Sequence, residues 1–458
     1  MKLNQRQVQH FYWRAGFFTS YPEVEDGIEM KPEDLYEKAL AQSQQYTAIN
    51  VVEMDTLDYM KMKDMPADEK RRLQQESRTA IKQLNNDWLE QMANSDAMLR
   101  ERMSLFWHDH FACSSNRSFF MQGYLDTIRK NSIGNFRDLL FGISKEPAML
   151  QYLNNQQNKK GSPNENFARE VMELFTLGRD NGYTEDDIKE AARAFTGWAF
   201  NSQGDFVLRK RVHDSDTKTI FGKTGEFEGE DVLDMLLENK QTARYICSKL
   251  YKYLVNDQEV DAEKLDLMVN TFYDGNYEIE PVLRLVFTSD WFYAEKNIGS
   301  KIKSPIDLMV GLRRSLSISY DNWDGQVFIQ RQLGQTLFYP PNVAGWPGGQ
   351  AWIDSSTLLL RARLTEIILL SSELDLEVKE SGDDNDQLKI YGKLKKLGSE
   401  VDERQMKKDF KSFKDTKVQM EEYLLQVPVD ETKFESKSES QLIDSIIAIS
   451  KTPEFQLC

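Results

Sequence analysis

The stretch 98-MLRERMSLFWHDHF-111 decides how this chain is read. Its apolar residues Leu99, Met103, Phe106, Trp107 and Phe111 fall at i, i+4, i+7, i+8 and i+12, the rhythm of a helix that buries one stripe. Upstream, residues 69–98 are rich in Arg, Gln, Glu, Leu and Ala and carry neither Pro nor Gly, which predicts one or two long surface helices. Downstream, helices are expected through 124–128 and 136–150. At 162-SPNE-165 a Ser that can cap, a Pro suited to the first turn and a Glu three residues after the Ser predict a helix start, with Gly178 as its stop. A second capped helix opens at Thr184 and ends at Gly197, completing a helical hairpin.

Only Phe206–Val212 alternates as a strand does, and its expected partner is Thr219–Phe221. Helical patterning resumes at Glu230 and includes the stripe Ala243, Ile246, Leu250 and Leu254. The predicted fold is therefore mainly α, a multi-helix globular body with a small β-hairpin inserted at about residues 205–222. A Pro/Trp loop spans 339–352, and Leu358–Leu370 is apolar enough to be expected at the centre. The expected division is a main body over 1–372, an acidic linker or insertion over 373–402, and helices over 403–458 that return to the body.

At 458 residues the chain buries ample apolar surface without disulfide or metal staples. A net charge of −16 argues against a nucleic-acid partner, because such binding draws on clustered cations that release counterions. Three cysteines in no paired spacing suggest neither a disulfide framework nor structural zinc. The amino terminus lacks an apolar signal segment, and nothing approaches the roughly 20 apolar residues of a membrane span. Taken at face value, this predicts a cytoplasmic protein, with an envelope location left open.

Ten islands resemble a bacterial family catalogued as domain of unknown function 1800. They are 12-YWRAGF-17, 106-FWHDHF-111, 164-NENFARE-170, 173-ELFTLG-178, 183-YTE-185, 192-ARAFTGW-198, 213-HD-214, 303-KSP-305, 340-PPNVAGWPGG-349 and 453-PEFQL-457. The resemblance implies no agreed activity. It does imply a possible partner, since genes of this family neighbour those of domain of unknown function 1501, which looks like the alkaline phosphatase and sulfatase fold. Many relatives carry export signals, and this sequence departs from them there.

The candidate chemistry begins with scarce histidines. Seven residues apart, Glu101 and His108 share a helix face, whereas His110 points away from His108 onto the buried stripe and reads as a hydrogen-bonded core residue. Asn166, Glu170 and Glu173 form a polar line, Arg169 stands four residues before Glu173, and Glu190 with Arg193 repeats the pairing. His213 and Asp214 leave the strand into a loop, where side chains converge readily on a ligand. Trp346 and Trp352 either fold under the helical body or stack on a sugar or peptide. No phosphate-binding loop fits at 222-GKT-224, and no serine elbow, zincin helix or diiron pair occurs.

Together these suggest an enzyme with a polar His/Glu/Arg pocket acting on an anionic, glycan or peptide substrate. His108, Arg169, Glu170 and His213 would be catalytic, and Asn166, Arg193 and Trp346 would bind substrate. Glu101, His108, Glu173 and His213 would ligate a divalent metal if one is used. The alternative is a noncatalytic scaffold for the phosphatase-like partner, with the same polar residues serving as a buried network.

Overall fold

The computed structural model describes residues 1–53, 65–320, 322–370, 397–410, 416–429 and 442–458. The helix Met98–His110 is buried at every residue except Asp109. Helices Gln5–Ala15, Pro32–Ser43, Ala67–Asn94 and Ser118–Asn131 surround it. Three consecutive charged residues lie within this buried helix, and a turn of 100° per residue sends each into a different neighbour. Arg100 donates to the carbonyls of Ser43, Arg129 and Lys130. Glu101 meets Arg129 at 2.6 Å. Arg102 donates to the carbonyls of Gly16 and Trp13 and pairs with Asp307 at 2.6 Å.

The helix expected from Ser162 starts later. Ser162 lies in an isolated bridge with Lys159, and the chain turns into the helix at Asn164, whose Oδ1 accepts the Asn166 N–H. Five α-helical residues, Asn166–Glu170, then widen into a π-helical turn over Val171–Thr176. Glu165, assigned by sequence to a capping box, makes no side-chain cap and pairs with Arg169. Gly178, at φ 82°, does end the element. The following helix, Glu185–Ala194, opens on a Thr184–Asp187 capping box.

The strand Phe206–Leu208 exists, but its predicted pairing with Thr219–Phe221 does not. β1 (Trp198–Phe200) pairs antiparallel with β2 (Phe206–Leu208), and β3 (Lys218–Ile220) with β4 (Lys223–Gly225). The cause is local. Gly197 turns the chain at φ 81°, where a Cβ would press on the Arg209 carbonyl, and Asn201 closes the next turn by accepting the N–H groups of Gln203 and Asp205. Residues 210–212 form a 3₁₀ turn instead of continuing the strand.

In a third pair, β5 (Ile318–Tyr320) with β6 (Ser399–Val401), the second strand falls inside the stretch predicted as linker. The rest of that stretch, through residue 396, lies outside the described residues. The helix Ser355–Leu369 buries Leu360, Leu364, Ile367 and Ile368 but leaves Leu358 and Leu359 45% and 58% exposed, so it is central on one side only. The last residues are sewn to 301–303 through Cys458 N–H to Lys301 O, and Lys303 N–H to Gln456 O. Among the described residues no helix is long and apolar enough to cross a membrane.

Candidate active site

Arg102, Leu105 and Asp109 stand at i, i+3 and i+7 on one face of the histidine helix, so they line one wall together. That wall faces a cavity of about 90 Å³. Trp13 and Arg14 close it from the first helix, Tyr253 and Asp257 from the end of Lys240–Leu254, and Lys301, Ser304 and Asp307 from the start of Pro305–Leu316. Trp346, Gly348, Gly349 and Trp352 of the Pro/Gly/Trp loop form its roof. Both tryptophans are buried, which favours the folded-under reading of that loop.

The roof is fastened to the wall at one point. Asp109 Oδ1 accepts the Trp346 N–H at 2.8 Å. Gly345, at φ 82°, makes the approach possible, since a Cβ there would collide with both the carboxylate and the carbonyl of Asp109. No hydrogen bond to the other carboxylate oxygen is found among the described residues. Burial pushes the Asp109 carboxyl up to about 6, with Lys249 and the Trp346 N–H pulling it down. Lys249 is itself held by His110, whose Nδ1 lies 3.0 Å from the ammonium while Nε2 meets the Phe175 carbonyl at 3.2 Å. His110 is thus a hydrogen-bonded core histidine, as the helix phase predicts.

The cations of the site are crowded. Burial works against the Arg102 charge, but Asp307 and the Tyr253 hydroxyl outweigh it and hold the guanidinium ionised. Burial likewise opposes ionised Asp307, and Arg102 reverses the balance and lowers its pKa. Lys301, 3.7 Å from Asp257, is brought down to about 8 by burial and by Arg14. Beneath it, Lys303 is brought to about 7 by burial, its ammonium lying 4.2 Å and 4.1 Å from the Trp13 and Phe455 ring centroids. Arg361 donates to the Lys303 carbonyl, and burial lowers it to about 10.

The residues singled out by sequence fall into three other groups. In the first, Glu101 accepts the Trp88 indole N–H at 2.9 Å, and Trp88 stacks on His108 with centroids 5.2 Å apart. His108 Nε2 accepts the Phe338 N–H at 3.1 Å, and burial lowers its pKa to about 4. In the second, Arg169 joins Glu165, Glu173 and Glu185, and Glu173 also meets Arg179. Asn166 donates to the Leu153 carbonyl. Glu170 is partly buried, which raises its pKa, and its Oε2 has no partner.

In the third group, Arg193 binds Glu190 and Asp214, and His213 Nδ1 lies 2.8 Å from the Thr196 carbonyl. His108 and His213 therefore sit among different partners instead of facing one another. The four expected metal ligands do not converge either. Glu101 is occupied by Arg129 and Trp88, and Glu173 by two arginines, and no group of three His, Cys, Asp or Glu suited to a metal occurs among the described residues. Of the predicted site residues, only Trp346 lines the cavity, while His108 lies behind it at 5.5 Å between ring centroids.

Sequence reasoning passed over Asp109, Arg102, Arg14, Lys301 and Asp307. A signal was present: five of the islands quoted above, at 12–17, 106–111, 303–305, 340–349 and 453–457, come together around this one cavity and the lysine beneath it.

The architecture is that of a mainly helical protein with a polar cavity roofed by a Pro/Gly/Trp loop. The chain belongs to the family described as Protein of unknown function (DUF1800), whose model matches residues 10–457. No curated protein and no solved structure matches it.

Proposed function

We propose that the protein is an enzyme whose active site is this cavity, and that it acts on an anionic substrate by acid–base chemistry at Asp109. One observation carries the reading: a carboxyl with a free oxygen faces buried cations in a cavity built from segments nearly 450 residues apart. Asp109 is mostly ionised at neutral pH and serves as the base, and Arg102 and Lys301 hold the substrate's charge. The Gly345–Trp346 strap fixes the carboxylate, so no reorganisation accompanies proton transfer.

The test is turnover of phosphorylated, sulfated and carboxylated glycans and peptides. Activity rises with pH through about 6 and disappears in Asp109→Asn; a folded Asp109→Asn protein that retains full turnover removes the reading.

A second reading, a noncatalytic scaffold for a phosphatase- or sulfatase-like protein, draws support from a different surface. Leu358 and Leu359 on the helix Ser355–Leu369 and Leu370 just past its end are all about half exposed, an unusual concentration for a solvated surface. Capture of such a partner that is lost in Leu359→Lys supports this role, and capture indifferent to that change removes it.

A further inference from the structure

We propose that the inner end of the cavity is a seat for one compact oxyanion, a phosphate, sulfate or carboxylate group, received by Lys301, Arg102 and the unpaired N–H groups of Trp13 and Arg14. The inference rests on the reading of this cavity as the functional site and names the part of the substrate that enters it.

Three observations support the seat. First, Trp13 Nε1 and Arg14 Nε are buried donors with no hydrogen-bond partner, and both residues line the cavity. Buried N–H groups are almost always satisfied, so two orphans at one cavity mark an acceptor that has yet to arrive. Each residue is otherwise well anchored: Trp13 stacks on Phe18 at 4.6 Å, and Arg14 donates to Cys458 O at 2.8 Å and Asn297 O at 3.2 Å.

Second, in a chain that carries −16 overall, three cationic side chains, Arg14, Arg102 and Lys301, line this cavity against three carboxylates, Asp109, Asp257 and Asp307, and burial holds Lys301 down. An unneutralised buried cation is costly, and a bound anion removes that cost.

Third, the cavity of about 90 Å³ has room for a compact oxyanion. The remainder of the substrate then lies toward the loop carrying Trp346 and Trp352. A proton follows the anion. Lys301 and Lys303 are held down by burial, so a neighbouring negative charge draws both toward the ammonium form. Tyr253 and the Cys458 thiol are the remaining titratable groups that face these lysines and their partners.

The whole chain is titrated with inorganic phosphate, sulfate and acetate, with glycerol as the neutral control, following tryptophan fluorescence and calorimetry at pH 7.5 in two buffers of different ionisation enthalpy. Saturable binding of at least one anion, one per chain and with proton uptake, is expected. Lys301→Gln and Trp13→Phe each weaken it, the former about tenfold or more, and Lys301→Arg restores it. Asp109→Asn leaves it intact or tightens it.

Absence of saturation below about 10 mM for all three anions overturns the seat, as does binding indifferent to both Lys301→Gln and Trp13→Phe. If anions fail to bind while Asp109→Asn still abolishes turnover, the seat alone falls. If anions bind as described and turnover ignores Asp109→Asn, the acid–base reading alone falls.

Discussion

Replacing Glu101 by leucine discriminates between a ligand and a structural member. Glu101 is fully buried, and its carboxylate takes three contacts from Arg129, Nη2 at 2.6 Å and Nε at 3.2 and 3.0 Å, together with the Trp88 indole N–H at 2.9 Å. Arg129 is itself 1% exposed, and its other bond is to the Thr47 carbonyl. Leucine would leave a guanidinium in the interior with no countercharge, and breaking a buried pair from one side costs about 3–5 kcal/mol. The orphaned indole N–H adds about 1–3 kcal/mol at most, and the two overlap because both groups share one acceptor. A loss of about 4 kcal/mol follows.

Urea unfolding measures this as a fall in midpoint at unchanged slope. The double variant Glu101→Leu/Arg129→Met should recover part of the loss, since a hydrophobic replacement of both partners leaves no stranded charge. Anion binding at the cavity should be unchanged in both, provided the protein is folded. A single variant within 1 kcal/mol of the parent, or a double variant worse than the sum of its parts, would refute the assignment of Glu101 to architecture.

Other substitutions separate the same roles. Gly345→Ala should break the roof, because its Cβ meets Asp109 and its φ of 82° is strained for alanine; about 1–3 kcal/mol of stability and most of the anion affinity are lost together, read by unfolding and fluorescence titration. His108→Ala strands the Phe338 N–H and opens a hole against Trp88, costing about 2–4 kcal/mol in urea unfolding. His213→Ala, at the partly open edge of the fold, costs about 1 kcal/mol and leaves anion binding intact.

A pH series tests the buried acids. The folded values of Asp109, about 6, and Glu146, about 7, lie above the ordinary 3.8 and 4.5, in both cases chiefly through burial. The folded state therefore holds these protons more tightly, so their contribution is fully present below about pH 4 and is lost as pH rises through 6 and 7. Asp109→Asn and Glu146→Gln should each flatten that decline in unfolding midpoints taken from pH 4 to 8.

The helices were legible because a helix is a local object. The stripe Leu99–Phe111, the Thr184 capping box and the stop at Gly178 are each local features of a single element. Strand pairing was less so. Period two identifies Phe206–Leu208 as a strand but not its mate, which is chosen by the turn at Gly197 and the Asn201 loop. The helix expected at Ser162 began at Asn166 because Asn158 Oδ1 takes the Asn164 N–H and holds the intervening residues in a non-helical loop.

The site was hidden for a different reason. With only four histidines among 458 residues, scarcity directs attention to imidazoles, yet scarcity says nothing about surroundings. His108 Nε2 satisfies the Phe338 N–H while its Nδ1 is buried without a hydrogen-bond partner, and His110 is explained by a lone pair that holds Lys249. The side chains with unspent capacity at the cavity belong to common residue types, Asp109, Lys301 and Arg14, and no sequence spacing connects them. What could be read in advance was the i, i+3, i+7 placement of Arg102, Leu105 and Asp109, a charged face on a helix whose opposite stripe is apolar. A buried helix has no solvated face on which to spend charges, so each must find a partner or a ligand. Arg100, Glu101 and Arg102 found partners. Asp109, tied through one oxygen and open through the other, is the charge on this helix left over for chemistry.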